Sequence, residues 1–284
     1  MDGVLVVDKP PGITSHDVVD AVRRELGTRK VGHAGTLDPD ATGILLLGAG
    51  RATRFLSYAQ AAPKRYVAGA TFGVTTSTQD SSGEVVESSD ASFSQDALER
   101  ALAGLRGDIE QVPPMVSAVK VGGERLYAKA RRGEEIERAP RAVTVYELEL
   151  LEYDPAARAA TLETLCSGGT YVRTLVHDLG NALGCGAHMT SLRRTAAAGF
   201  TELDAVPLDA VSEDALRPIG EAVRELPRLD VDTETALAVS HGKALDLQRP
   251  EPEGTPMALF SDGELIAVYR VTARGLRADR VVPT

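Results

Sequence analysis

Six residues, 154 to 159, separate VTVYELELLEY (143–153) from ATLETLCS (160–167), and both segments read as strands. A parallel neighbour needs a crossover of roughly a dozen residues or more. Elsewhere too, strands follow one another without a helix long enough for a crossover: GVLVVDK, stopped by Pro10, Pro11 and Gly12; GILLLGAG (43–50); and RYVAGATFG (65–73). Helices are expected from a Thr14 or Ser15 cap to Leu26, from Ser94 to Leu105, and from Thr170 to Leu183, each with one apolar face. The pattern favours an α+β fold, a mixed and largely antiparallel sheet flanked by helices, over a doubly wound parallel sheet. STQDSSGEVVESSDASFS reads as a polar, mobile connection, and ELPRLDVD (225–232) as a linker. Beyond it, MALF, GELIAVYRV and RADRVV are the short strands of a small β module. The expected division is a domain of 1–225 and a β-rich module of 226–284.

With 284 residues, 43% of them hydrophobic, the chain can bury one large core with a small satellite. No stretch is long or apolar enough to span a membrane, and MDGVLVVDKP lacks the basic start of a signal peptide, so a cytoplasmic protein is expected. Cys166 and Cys185 are read as reduced thiols rather than a disulfide framework. The net charge of −10 argues at first against nucleic acid, but the charge is uneven. Arg51, Arg54, Lys64 and Arg65 share a stretch without an acid. Lys120 to Arg141 holds seven cations, Arg131 and Arg132 among them, against four glutamates. An acidic chain with such islands can still hold a polyanion on one face.

Two generic chemistries fit poorly. Gly48-x-Gly50-x-x-Thr53 follows an apolar strand as a dinucleotide fingerprint would, but the third glycine and the ribose-binding acid about twenty residues on are missing. Cys185 and His188, with Cys166 and His177, match no common zinc spacing. No metal or cofactor is expected.

The stretch GHAGTLDPDATG (32–43) is different, because it places two carboxylates beside a rigid Asp-Pro step. Taken alone, Asp38 is a turn-capping residue. Along the chain it is followed in order by GAGRATRF, KRYVAGATFGVTTSTQD, PPMVSAVKVGGERLYAKARRG, CSGGTYVRTLVHDLG, GCGAH and SLRRT. Together these blocks resemble the TruB family of tRNA pseudouridine-55 synthases over residues 3 to about 210.

The resemblance implies an isomerase that cuts the N-glycosidic bond of a T-loop uridine, turns the uracil and rejoins it through carbon, with no cofactor. Breaking that bond builds positive character on the sugar, which a neighbouring carboxylate can stabilise or capture. The family pattern assigns this role, nucleophile or electrostatic, to Asp38 and leaves Asp40 as a solvated residue. It pairs Arg173 with the aspartate and gives Tyr66 a place against the uracil, with a share in proton removal. It lines the uridine pocket with Tyr171 and Leu192, and inserts His33 where the flipped nucleotide was. The basic islands, through Lys64, Arg131 and Arg132, become phosphate contacts along the tRNA T-arm. The module 226–284 resembles PUA-like RNA-binding domains. A monomer without an obligate protein partner is implied. Ser77 stands where the family commonly has an aspartate, and Val116 where an aromatic is frequent. Two other readings are a catalytically silent tRNA-binding protein and a dinucleotide-dependent oxidoreductase built on Gly48 and Gly50.

Overall fold

A computed structural model of the chain describes residues 1–283 apart from 116, 118–119, 122–123, 126–131, 133 and 135. It falls into two compact units: Met1–Pro39, Ile44–Ala62 and Ala197–Thr284 in one, Asp40–Gly43 and Pro63–Ala196 in the other. Both are mixed α+β with largely antiparallel sheets.

In the first unit the strand Gly3–Lys9 runs parallel to Val206–Pro207 and lies beside the strand Thr42–Ala49. Both long strands are buried on two faces, which is why their apolar runs (VLVV, ILLL) are continuous rather than alternating. Leu5, Val7, Leu45 and Leu47 face the helix Ser15–Glu25 through Val18, Val19 and Val22. Val4, Val6, Ile44 and Leu46 face Phe55, Phe200 and Val223 on the other side. The helix starts at Thr14 with a full capping box to Asp17 and ends before Gly27, at φ +60°. The short strand Val31–His33 pairs antiparallel with Thr42–Ala49, His33 opposite Leu47. The segment 34–41 is thus the loop of a β-hairpin.

The C-terminal part of this unit is a four-stranded sheet in the order Arg228–Asp230, Pro256–Ser261, Glu264–Thr272, Gly275–Val281. ELPRLDVD is therefore not a free linker: Arg228–Asp230 forms an edge strand, parallel to Ala258–Phe260. One face of the sheet packs Met257, Leu259, Tyr269 and Leu276 on Val239 of the helix Thr233–Ser240. The other face gives Ala258, Phe260, Leu265 and Val268 to the cluster of Phe55 and Phe200.

The second unit orders its strands Ala187–Ala197, Lys64–Phe72, Ala159–Cys166, Arg141–Asp154 and Gly107–Gln111. The 143–153 and 160–167 segments pair antiparallel, Leu148 opposite Thr164. The helices Gln95–Gly104 and Val172–Ala182 pack on the strands Arg141–Asp154 and Lys64–Phe72. The polar stretch after residue 73 is a hairpin, Val74–Thr76 with Val85–Ser88, rather than a mobile connection. Its hydroxyl and carboxylate side chains satisfy the backbone that water would otherwise have to solvate. At Thr42 and Gly43 the chain pairs in parallel with Arg193 and Arg194. Gly43 sits at φ +95°, where a Cβ would collide with the Arg194 main chain. Among the described residues no helix is long and apolar enough to cross a membrane.

Because the C-terminal sheet shares its second face with the rest of its unit, deleting 226–284 should strip four buried residues, and the partly buried Leu226 and Val282, from a common core. The truncated chain is expected to melt at a clearly lower temperature, or to fail to fold. An unchanged melting temperature would show that the shared cluster contributes nothing.

Candidate active site

The Asp38 loop is fixed at both of its neighbours. Ser15, at the start of the first helix, donates its hydroxyl to the Leu37 carbonyl at 3.0 Å and accepts the Leu37 N–H at 2.8 Å. The Pro39 carbonyl accepts from the Lys9 ammonium at 2.7 Å and from the Gly12 N–H at 3.0 Å. Lys9 is 0% exposed, and its ammonium also donates to the Pro10 carbonyl at 2.9 Å. A buried ammonium needs such acceptors, and here one of them, the Pro39 carbonyl, lies on the Asp38 loop. Leu37 is buried, Asp38 half-buried and Asp40 exposed. The carboxylate of Asp38 therefore projects from a backbone clamped on either side, and that of Asp40 is solvated. His33 is half-buried at the loop's entry, where Ala34 N–H donates to the Leu46 carbonyl at 2.8 Å.

Tyr66, Tyr171, Arg173 and Leu192 belong to the second unit. Tyr66 lies on the buried face of its strand with Lys64, Ala68, Ala70 and Phe72. The Arg194 guanidinium, 1% exposed, stands 6.0 Å from the Tyr66 ring centre, within cation–π range. Arg173 is the second residue of the helix Val172–Ala182 and is 4% exposed, not the solvated arginine that its helical position would allow. Tyr171 caps that helix and is half-buried, as is Leu192 on the strand Ala187–Ala197.

The Arg173 guanidinium donates to the Thr78 carbonyl at 3.0 Å and lies 3.3 Å from Asp80 Oδ2. The other Asp80 oxygen accepts from the Thr78 hydroxyl (2.6 Å), the Ser82 hydroxyl (2.6 Å) and the Ser82 N–H (3.0 Å). Burial pushes the Asp80 pKa up, but these bonds and the Arg173 charge outweigh it and hold the carboxyl below its ordinary range. Ser77, at the family's aspartate position, accepts the Glu84 N–H at 3.1 Å, so the turn keeps a side-chain acceptor there.

The basic islands are less free than their sequence suggests. Lys64 is 5% exposed, so it is an interior cation rather than part of a solvated face. Burial, and then the Arg194 charge, bring its ammonium down to about 8. Arg65 is bound by Glu147 and Glu163, and Arg51 by Asp2. Arg132 is exposed and pairs with Glu134 at 2.6 Å. Arg131 and Val116 lie outside the described residues.

The glycine pair after the apolar strand does not offer a phosphate cradle. Asp2 accepts from both the backbone N–H and the side chain of Arg51, and a Cβ at Gly50 would strike the same carboxylate. Cys166 and Cys185 are both buried, and burial pushes the Cys166 thiol up to about 11.

The sequence reading missed Lys9, Asp80, Arg194 and Gln111 as supports of the site. Lys9 had one local signal, a lysine between a buried strand and two prolines. Asp80 lay inside a segment read as mobile, and nothing local marks the other two.

Comparison with known proteins places this chain in a class. Residues 23–172 match the model of "TruB family pseudouridylate synthase (N terminal domain)". Residues 173–237 match "tRNA pseudouridylate synthase B C-terminal domain", and 226–283 match "tRNA Pseudouridine synthase II, C terminal". The fold and the matched sequence are those of a pseudouridylate synthase. A relative from Symbiobacterium thermophilum, tRNA pseudouridine synthase B, is 50% identical over 86% of this chain and 83% of its own. The protein of the same name from Nocardia farcinica is 45% identical over 99% of this chain and 92% of its own. Among solved structures, an H/ACA RNP bound to a substrate RNA containing 2′-deoxyuridine superposes with a TM-score of 0.76. It is 26% identical, over 99% of this chain and 85% of that one. This chain belongs to the TruB family.

Asp80→Asn keeps most of the local hydrogen bonds but removes the negative charge beside Arg173. Hydrogen bonds to charged groups are worth roughly 1.5–3 kcal/mol, so kcat should fall about 10- to 100-fold while RNA affinity stays within a few-fold. Asp80 is depressed in the fold, so its stabilising contribution is present above the usual carboxylate pKa, about 3.9. It is lost as pH falls through the folded value. The stability gap between wild type and variant should therefore narrow below about pH 4 in acid titrations. A gap that widens there would reverse the assignment.

Proposed function

We propose that this protein isomerises uridine 55 in the T-loop of tRNA to pseudouridine, working in the cytoplasm as a monomer. In that reaction the bond from ribose C1′ to uracil N1 breaks and a bond from C1′ to C5 forms. The proton on C5 leaves, and N1 ends protonated. Asp38 supplies the carboxylate that stabilises or captures the electron-poor sugar carbon. The observation that carries this reading is the double clamp on Leu37 and Pro39, which supports the backbone of one aspartate in the loop and leaves Asp40 to solvent. Preorganisation of this kind matters because misplacement by about 1 Å can cost roughly a hundredfold in rate.

The reading further assigns Arg173 to keep the aspartate ionised, Tyr66 to lie against the uracil and assist proton removal, and Tyr171 with Leu192 to line the pocket. His33 replaces the flipped base in the loop. Arg131 and Arg132 contact T-arm phosphates, and Lys64 adds positive potential from the interior. Residues 226–284 serve as a PUA-like RNA-binding module. The relatives' name, tRNA pseudouridine synthase B, supports tRNA as the substrate. A catalytically silent tRNA-binding protein would have no use for a clamped acidic loop.

The test is turnover and binding on one T-arm transcript. Asp38→Asn should abolish product while RNA binding persists, and Asp40→Asn should stay within a few-fold of wild type. The reverse outcome would sink the assignment. Tyr66→Phe should lose rate rather than affinity, within the roughly 10²- to 10⁴-fold range of acid–base contributions.

Affinity should also fall steeply with salt despite the net charge of −10. Arg132→Ala should flatten the log–log slope by about 0.7 to 0.9, the share of one phosphate contact. An unchanged slope would return Arg132 to its pair with Glu134.

A further inference from the structure

We propose that Gln111 is a positioning residue for the isomerisation. Its side-chain amide holds the main chain of Tyr171, and through it the first helical turn that carries Arg173. The inference rests on the reading of Tyr171 and Arg173 as active-site residues.

Gln111 ends the edge strand Gly107–Gln111 and is 1% exposed. Its Oε1 accepts the Tyr171 N–H at 2.9 Å, and its Nε2 donates to the Tyr171 carbonyl at 3.2 Å. Both bonds reach the same residue, as one peptide group pairs with another in a sheet. Tyr171 is the N-cap of the helix Val172–Ala182, at φ −100° and ψ 106°, and its own side chain makes no capping bond. Its carbonyl already accepts the first helical bond, from Leu175 N–H at 3.0 Å, so the bond from Gln111 occupies the second lone pair.

In a capping box the third helical residue would reach back to the N-cap N–H. Here that residue is Thr174, and its hydroxyl is committed elsewhere, donating to Gln79 Oε1 at 3.0 Å. Gln111 takes over the missing contact from a neighbouring strand. A buried site that must both donate and accept, at this reach, suits a neutral amide. A carboxylate would lack the donor, and an apolar side chain would lack both. Arg173 is two residues beyond the clamped peptide, and its own bonds to Thr78 and Asp80 require the helix to start at one fixed height and rotation. Among the described residues the titratable groups beside Gln111 include Tyr171, the preceding Glu110 and the cross-strand Arg141, which is exposed.

The test uses the full-length protein and a T-arm transcript, with Gln111→Met and Gln111→Glu. Single-turnover rate, RNA affinity and melting temperature are measured from about pH 5.5 to 8.5. Gln111→Met should lose about tenfold or more in rate at every pH, the size expected for a lost buried hydrogen-bonded pair, with affinity within about threefold. Gln111→Glu should be as impaired at high pH and recover toward wild type as pH falls. A buried carboxyl takes up a proton readily, and the acid form again donates to the Tyr171 carbonyl. That recovery, set against the wild-type profile, distinguishes positioning from simple support, and the acid form keeps a foldable variant available if Gln111→Met does not fold. A folded Gln111→Met with wild-type rate, or a Gln111→Glu profile that parallels wild type, overturns the proposal. Arg173→Ala is run alongside. If it is inactive while Gln111→Met is fully active, only the role of Gln111 falls; if Arg173→Ala turns over normally, the active-site reading falls and takes this inference with it.

Discussion

The ammonium of Lys9 is withdrawn from water and donates to two main-chain carbonyls, one of them on Pro39. Desolvating an ammonium is among the larger unfavourable terms a fold can carry, and it is tolerable only where acceptors are fixed in place. The strand Gly3–Lys9 is locked between two apolar clusters, so Lys9 cannot move to find other partners. The loop therefore comes to the lysine. With Ser15 holding Leu37 in both directions, the backbone on each side of Asp38 is set by the sheet and by the first helix. A hairpin loop rich in glycine is thereby made as rigid as the elements it joins.

The same logic applies in the second unit. Among the described residues, the buried charged side chains are Lys9, Lys64, Arg173 and Arg194, all cations, in a chain of net charge −10. Among the described residues none of the acids that give the protein its net charge is fully buried, while the fully buried charges are positive. Such an arrangement stabilises carboxylates beside it and attracts phosphate without making the whole surface basic. Asp80 is one result: a half-buried carboxylate held ionised by hydroxyl bonds and by Arg173. The rigid hairpin around it, with Gln79 at φ +64°, is part of the apparatus that orients that arginine.

Much of the fold was legible in the chain. The helix from Thr14 was marked by a capping residue and Gly27, and the antiparallel strands by successive strands with no helix long enough for a crossover. Buried strands in the first unit were marked by unbroken apolar runs. Two segments misled, for a shared reason. STQDSSGEVVESS and ELPRLDVD are polar, and polarity reads as loop. Their backbones are nevertheless paired, one in a hairpin secured by Ser and Thr hydroxyls, the other as an edge strand that needs only one partner.

The sequence by itself determined the α+β class, the main elements and the acidic loop with Asp38, because each depends on local pattern or on an ordered set of short blocks. It could not reveal which groups hold those residues in place. Lys9 meets Pro39 across 30 residues, Gln111 meets Tyr171 across 60, and Arg173 meets Thr78 across 95. Only the order and register of the strands bring such groups within hydrogen-bonding distance. Burial then removes the water that would otherwise satisfy them, and that is why these contacts, and the burial of four cations, were decided by the tertiary structure alone.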